Sequence, residues 1–355
     1  MSSIDRKPSA SPAEPIGAAE RSVSVADVRI VGLGSCVPDH IVTNHDIEQV
    51  VDTSDEWIVS RTGIRERRIC GPETAASDLA ASAAQRALDA AGLRGEDLDA
   101  IIVGTVTGDH LFPSTACLVQ ARIGAHKAFC FDLGAACSGF LYSCEVARGL
   151  IGSGLAERIL VVGVEVLSRF TNPKDRTTCI LFGDGAGAAV LTRIRPGEAD
   201  HGHQILATYL GADGREAELI ELPAGGSRLP VSHEVIEQGL HRLRMKGNEV
   251  FKLGVRGMEE ACRITLERAG ITAAEVDLLV AHQANLRIIE ATAKRLDLPT
   301  EKVFINLDRY GNTSAASVPL ALDEVARSAR AKSGDLVLTV AFGAGLTWGG
   351  TLLRW

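Results

Sequence analysis

The chain has 355 residues, 46% of them apolar and 23% charged, the balance of a globular protein able to bury one large core or two ordinary ones. Its formal net charge of -8 excludes nucleic acid as a general partner, and no apolar run is long enough to span a bilayer. The eight cysteines show neither CxxC pairs nor histidine-rich spacing. No metal site, bound cofactor or secreted disulfide framework is therefore expected, and a reducing cytoplasm fits best.

Residues 1–27 are rich in Ser, Ala and Pro, carry both charge signs and read as a disordered tail. Val28 to Leu33 reads as a buried strand, and Thr53-Ser54-Asp55-Glu56 as a capping box opening a short helix that carries Trp57 and Arg61. An alanine-rich helix over Ala75 to Ala91 closes at Gly92, Ala100 to Val103 is a strand, and a helix spans about Ser114 to Ile123.

Ala128 to Leu133 is the next apolar strand. It runs through Gly134-Ala135-Ala136-Cys137-Ser138 into a helix from Gly139 to Gly149. A cysteine at a helix N-terminus sits beside unpaired N–H groups and the positive end of the dipole. Its thiol is therefore expected to lose its proton more easily than the free value of about 8.5. The small residues around it leave room for a substrate to reach sulfur. The other cysteines, including Cys130, Cys144 and Cys179, are expected in the core.

Arg158 to Val164 is a strand, and Gly183-Asp184-Gly185-Ala186-Gly187 opens another to about Arg193. Those spaced glycines lead into a strand, whereas a dinucleotide site needs a helix there, so a phosphate loop is not expected. The second half then echoes the first. Ala91-Gly92-Leu93 returns as Ala269-Gly270-Ile271, Leu98 to Ile102 as Val276 to Val280, and Phe182-Gly183 as Phe342-Gly343. Two pseudo-symmetric βα halves, 28–196 and 197–355, are expected in a layered α/β fold.

Three strand ends of the second half carry polar residues. Leu278 to Ala281 stops at His282-Gln283-Ala284-Asn285, Val303 to Asn306 leads to Gly311-Asn312-Thr313-Ser314, and Leu336 to Phe342 runs into Gly343-Ala344-Gly345. Strand ends are where α/β proteins place ligands, so these motifs are candidates to share a site with Cys137.

From about Val28 to Trp355 the sequence resembles the β-ketoacyl-acyl carrier protein synthase III family, the initiating condensing enzymes of fatty acid synthesis, which belong to the thiolase superfamily. The resemblance rests on Thr53 to Ile58, Arg61 to Ile64, Phe112-Pro113-Ser114, the cysteine turn, Phe182 to Gly187, Lys246 to Lys252, His282 to Asn285, Gly311 to Ser317 and Phe342 to Gly345. It implies a thiolase-like fold in five α-β-α-β-α layers and a catalytic set of Cys137, His282 and Asn312. It also implies decarboxylative condensation of a short acyl-CoA with malonyl-acyl carrier protein through an acyl-cysteine, without a metal or cofactor.

By the same resemblance, the backbone N–H groups of Cys137 and Ala344 form an oxyanion hole. Trp57, Arg61, Arg176, Thr53 and Asn248 bind CoA. Lys252, Arg287, Lys294 and Arg295 dock the acidic carrier protein, the last three being spaced seven and eight apart to share a helix face. Phe112 crosses a homodimer interface to close the partner's acyl pocket. Ala344 and Ser138 depart from the glycine and alanine frequent at those positions. A stand-alone ketosynthase or acyltransferase of polyketide metabolism would use the same three residues on longer or unusual chains. A thiolase would need a further cysteine beyond Cys262, and a non-catalytic scaffold would be expected to lose Cys137.

Overall fold

In the computed structural model, which describes residues 27–195, 197 and 202–355, the apolar runs of the first half form five strands. They are β1 (Val28–Cys36), β2 (Ala100–Gly104), β3 (Phe129–Leu133), β4 (Arg158–Val166) and β5 (Asp184–Arg193). Their helices are α1 (Asp55–Thr62), α2 (Ala76–Ala91), α3 (Thr115–Arg122) and α4 (Gly139–Gly152). The second half adds β6 (His203–Ala212), α5 (Gly247–Ala269), β7 (Leu278–Ala281), α6 (Leu286–Arg295), α7 (Ser317–Arg327), β8 (Leu336–Gly343) and β9 (Thr347–Arg354). The expected tail, apart from Asp27, and Pro196 at the expected boundary lie outside the described residues.

Strand order repeats with the sequence echo. The first half runs β3-β2-β4-β5-β1, with β2 parallel to β3 and β4 and the later pairs antiparallel. The second runs from an isolated parallel bridge at Val303 through β7, β8 and β9 to β6, with the same sequence of parallel and antiparallel pairs. Two pairings between the first strands of each half, Arg29 with Gln204 and Ile30 with His203, join them into one nine-stranded sheet.

The layers follow from side-chain alternation along strands buried on both faces. Ile101, Val103, Leu160 and Val162 face Ala80, Ala83, Ala84 and Ala87 of α2 in one outer core. Ile102, Val161, Val280 and Val337 point the other way, into a central core filled by Phe140, Leu141 and Ile151 of α4 and Val318, Leu322 and Val325 of α7. Leu279, Leu338 and Val340 form the second outer core with Met258, Ala261 and Leu266 of α5 and Ile289 of α6. The result is the α-β-α-β-α stack of a thiolase-like fold, with α4 and α7 touching strands of both halves.

Local termini adjust the expected boundaries. Ser54, not Thr53, caps α1 by accepting the Trp57 N–H at 3.1 Å, so the four-residue capping box does not form. The helix after the cysteine extends to Gly152, and a short 3-10 turn over Ala136–Ser138 precedes it.

Gly163 on β4 fixes the height of the turn at residues 314–316. A Cβ there would stand 2.2 Å from the Ala315 carbonyl oxygen, backbone that cannot rotate away. Gly163→Ala is expected to cost roughly 1–3 kcal/mol through overpacking. The check is a urea melt, in which the midpoint falls at constant slope; an unmoved midpoint would show that this contact yields freely.

Candidate active site

Cys137 stands in the turn between β3 and α4, entered through Ala136 in the left-handed region at φ 45°. That turn is clamped to the β8–β9 hairpin of the other half. The Ser138 hydroxyl donates to the Thr347 carbonyl at 3.1 Å, and the Thr347 hydroxyl donates to the Ala135 carbonyl at 2.9 Å. The hydroxyl at 138 is thus a tie between the halves. Gly343 lies so close that a Cβ would meet the Cys137 nitrogen at 2.6 Å, which brings the backbone of Ala344 alongside the cysteine.

A cavity of about 720 Å³ opens above this contact. Cys137, His282, Asn312 and Ala344 line it together with Trp57, Arg61, Asn248, Lys252 and Arg287. Most of the wall is apolar and includes Leu167, Ile180, Leu181, Phe182, Met258 and Phe342. Such an apolar wall with a few polar groups suits a ligand that buries much of its surface there.

His282 follows β7 and is 2% exposed. Its ring Nδ1 is enclosed and has no hydrogen-bond partner among the described residues, which leaves Nε2 as the ring nitrogen facing the cavity. Burial pulls its pKa down to about 4, so the imidazole is neutral at pH 7. With the proton on Nε2 it presents a neutral donor.

Asn312 is fixed from three sides. Its N–H donates to the Leu181 carbonyl at 2.8 Å, its carbonyl accepts from Gly183 N–H at 3.0 Å, and its side-chain Oδ1 accepts from Ser314 N–H at 2.9 Å. The amide oxygen being taken, the Nδ2 group is left to donate towards the cavity. Gln283 does comparable work beneath His282: its side chain donates to the Ala281 and Phe304 carbonyls and accepts from the N–H groups of Asn306 and Leu307.

The thiol departs from expectation. Cys137 is half-buried and open to the cavity, yet desolvation by its apolar surroundings pushes its pKa up to about 12; the Ser314 hydroxyl opposes the rise and the charge of Glu165 adds to it. Desolvation outweighs the helix terminus here, since Cys137 lies in the 3-10 turn before α4 rather than in its first turn. Sequence reasoning missed Glu165 and Ser314. A lone acid inside the apolar run Leu160 to Val166 was the available signal.

The binding groups separate. Arg176 lies over the Trp57 ring at 4.9 Å and donates to the Asp52 carbonyl at 2.8 Å, and Arg61 approaches the same ring at 6.0 Å; Trp57, Arg61 and Asn248 line the cavity and Arg176 does not. Thr53 does not line it, and its hydroxyl is buried without a partner among the described residues. Arg287 packs over Phe251 at 5.6 Å near the mouth, Lys294 borders a separate groove beside Leu286, and Arg295 is paired with Glu259 of α5. The three cations of α6 are therefore not one free row.

Phe112 is 84% exposed and does not line the cavity. Not every remaining cysteine is core: Cys144 is buried, Cys179 and Cys130 are half-buried, and Cys117 is exposed with its sulfur 3.5 Å from that of Cys130. Gly183 to Gly187 leads into β5, where the buried Asp184 carboxylate accepts from Ser168 and Cys70 and holds the strand start in place.

Comparison with known proteins agrees with the geometry. The family model described as 3-Oxoacyl-[acyl-carrier-protein (ACP)] synthase III matches residues 131–214, and its C-terminal counterpart matches 266–355. A relative from Caldanaerobacter subterraneus subsp. tengcongensis, named beta-ketoacyl-[acyl-carrier-protein] synthase III, is 55% identical over 92% of this chain and 97% of its own. The crystal structure of 3-oxoacyl-[acyl-carrier-protein] synthase III from Aquifex aeolicus superposes with a TM-score of 0.84 at 48% identity, covering 92% of this chain and all of the other. A priming β-ketosynthase from a polyketide biosynthetic pathway has a TM-score of 0.83 at 35% identity, over 92% and 96% of the two chains.

Because the folded pKa of His282 lies below its free value of 6.5, its contribution to stability is complete above that value and is lost as pH falls from 6.5 towards 4. The loss is on the order of 3 kcal/mol. Denaturant melts of wild type and His282→Gln across this window should converge as pH falls. Curves that stay parallel would mean that His282 titrates normally in the folded chain.

Proposed function

The chain belongs to the 3-oxoacyl-[acyl-carrier-protein] synthase III family, and from that premise we propose that Cys137, His282 and Asn312 carry its reaction at the cavity they share. The enzyme is an acyltransferase: it condenses a short acyl-CoA with malonyl-acyl carrier protein to initiate fatty acid synthesis. The observation that carries the assignment of residues is the pattern of spent and unspent donors. The ring Nδ1 of His282 is enclosed and the side-chain oxygen of Asn312 is occupied, so Nε2 and Nδ2 remain to act above Cys137.

In the first half-reaction the Cys137 sulfur attacks the thioester carbonyl of acyl-CoA. The backbone N–H groups of Cys137 and Ala344 hold the oxyanion, the carbon–sulfur bond to CoA breaks, and the thiol proton ends on CoA. The methyl of Ala344 leaves its N–H intact. In the second, malonyl-carrier protein loses CO₂, and the enolate oxygen accepts from His282 Nε2 and Asn312 Nδ2. The enolate carbon attacks the acyl-cysteine, sulfur leaves, and a proton from water restores the thiol. The product is β-ketoacyl-carrier protein. A neutral His282 suits this role, since it needs to donate and not to ionise.

CoA is read here as lying along Trp57, Arg61 and Asn248, with Arg176 and Thr53 completing the outer site; adenine would enter beside the Trp57 ring, where Arg176 now lies. Lys252 and Arg287 at the mouth, with Lys294 behind them, are read as the dock for an acidic carrier protein, and Arg295 contributes after exchange of its Glu259 partner. A homodimer is favoured by the first-half edge strand β3 and by Leu111 and Phe112, exposed at 85% and 84%, an apolar pair that a second copy would cover while closing its own pocket with Phe112. Among the described residues no helix is long and apolar enough to cross a membrane, and a cytoplasmic site of action fits the acyl-CoA and carrier-protein substrates. The polyketide reading is less favoured, since identity to the priming ketosynthase is 35% against 55% for the fatty acid relative.

Intact-protein mass after exposure to acyl-CoAs should show an acyl group on wild type, His282→Ala and Asn312→Ala, and none on Cys137→Ala. The two acylated variants should release CO₂ from malonyl-carrier protein roughly 100- to 1000-fold more slowly. Acyl mass on Cys137→Ala would overturn the nucleophile. In parallel, Arg287→Ala should raise KM for malonyl-carrier protein, more so as salt is lowered, with the rate of acylation by acyl-CoA unchanged. An equal effect on both half-reactions would remove Arg287 from the docking surface.

A further inference from the structure

Glu165 is a fully buried acid of β4 that the reaction above does not use. Its two oxygens differ in their surroundings. Oε2 faces the Thr107 hydroxyl at 2.5 Å and the Thr105 hydroxyl at 3.4 Å, and the Val106 N–H is shared by both oxygens at 3.3 Å. Both threonine hydroxyls already accept, Thr107 from Val166 N–H at 2.8 Å and Thr105 from Thr107 N–H at 3.1 Å, so each is free to turn its own proton towards the carboxyl group. Oε2 is therefore surrounded by donors and has no place for an acidic proton.

Oε1 has the one ambivalent neighbour, the Ser314 hydroxyl at 3.2 Å. Ser314 lines the cavity with Cys137, its short turn packs against the one that carries the cysteine, its hydroxyl opposes the rise of the thiol pKa, and its N–H holds the side-chain oxygen of Asn312. A hydroxyl has one proton to give. When Glu165 is ionised, Ser314 donates to Oε1 and the sulfur has no donor from it. When Glu165 is protonated, the proton sits on Oε1, Ser314 accepts it, and the Ser314 proton turns to sulfur.

We infer that Glu165 is a positioning residue whose protonation state decides whether the Ser314 hydroxyl donates to the carboxylate or to the Cys137 sulfur. Ser314 is then a catalytic group that stabilises the thiolate, and Glu165 acts through it. No covalent bond changes; one proton is held and one hydroxyl rotates. Burial raises the Glu165 pKa to about 7, which puts the switch in the working range. The groups facing Glu165 are Thr105, Val106 and Thr107 after β2 and Ser314 before α7, and Cys137 is the titratable group coupled to it. Both consequences of protonation act in one direction, since the sulfur gains a donor and loses a negative neighbour.

The inference rests on Cys137 as the nucleophile, and the two are tested separately in the same samples. Alkylation of Cys137 by iodoacetamide is followed by the mass of its peptide between about pH 6 and pH 10, and acylation by acyl-CoA is read alongside. Glu165→Gln fixes the neutral arrangement, its amide donating to Ser314 and its oxygen accepting from the threonines. It should alkylate roughly 3- to 10-fold faster than wild type above neutral pH, with most of that gain lost when Ser314→Ala is added. Equal rates in wild type and Glu165→Gln, with unchanged melting, would overturn the inference. Should Glu165→Gln not fold, Ser314→Ala alone decides. Wild type should outpace it below about pH 7 and converge with it above, where Ser314 has turned to the carboxylate; a ratio constant with pH would overturn the inference. Absence of acyl mass on wild-type Cys137 would sink the nucleophile and leave the alkylation comparison standing.

Discussion

The site depends on one close approach, the backbone of Gly343 laid against Cys137 with no room for a side chain between them. It joins the end of β8 in one half to the turn after β3 in the other. Around it the Ser138 and Thr347 hydroxyls fasten the two backbones, and the segment Leu181 to Gly183 fastens Asn312. Each tie crosses between halves. The proposed nucleophile thus comes from one half and both proposed enolate donors from the other, and their alignment follows from how the halves meet.

The cavity is held electrically quiet. His282 is neutral through burial, the Cys137 thiol is protonated in the unliganded site, and Glu165 stands near the point of losing its charge. In the proposed reaction charge arises there only transiently, on the attacking sulfur and on the two oxyanions. Fixed N–H donors would meet both oxyanions, and in an apolar surrounding such donors are worth more than they would be in water. The permanent charges, Arg61, Lys252 and Arg287, stay at the mouth, where they can meet phosphate or an acidic partner without fixing a charge beside the chemistry.

Much of this was legible from sequence because it was written in residues with few other reasons to be where they are. Cys137 between small residues and His282 after an apolar strand stand at strand ends, where α/β folds place ligands, whereas Asn312 beside Gly311 follows a single helical turn; the three line one cavity. What stayed hidden depended on neighbours distant in the chain. The helix terminus suggested an easily ionised thiol, yet the apolar walls assembled around the half-buried Cys137 push its pKa the other way. Helical spacing put Arg295 in line with Arg287 and Lys294, but Glu259 on α5 claims it. Thr53 and Ser54 are equally good caps on paper, and the backbone entering α1 selects the second.

The repeated strand order has a consequence in time. In each half the first strand pairs with the last, so β1 finds its principal partner only in β5, roughly 150 residues later. At the usual pace of synthesis, about 5–20 residues per second, β1 waits on the order of ten seconds or more before its place in the sheet exists. The strand made first is the last of its half to be seated, and its apolar edge is exposed to the cell throughout that wait.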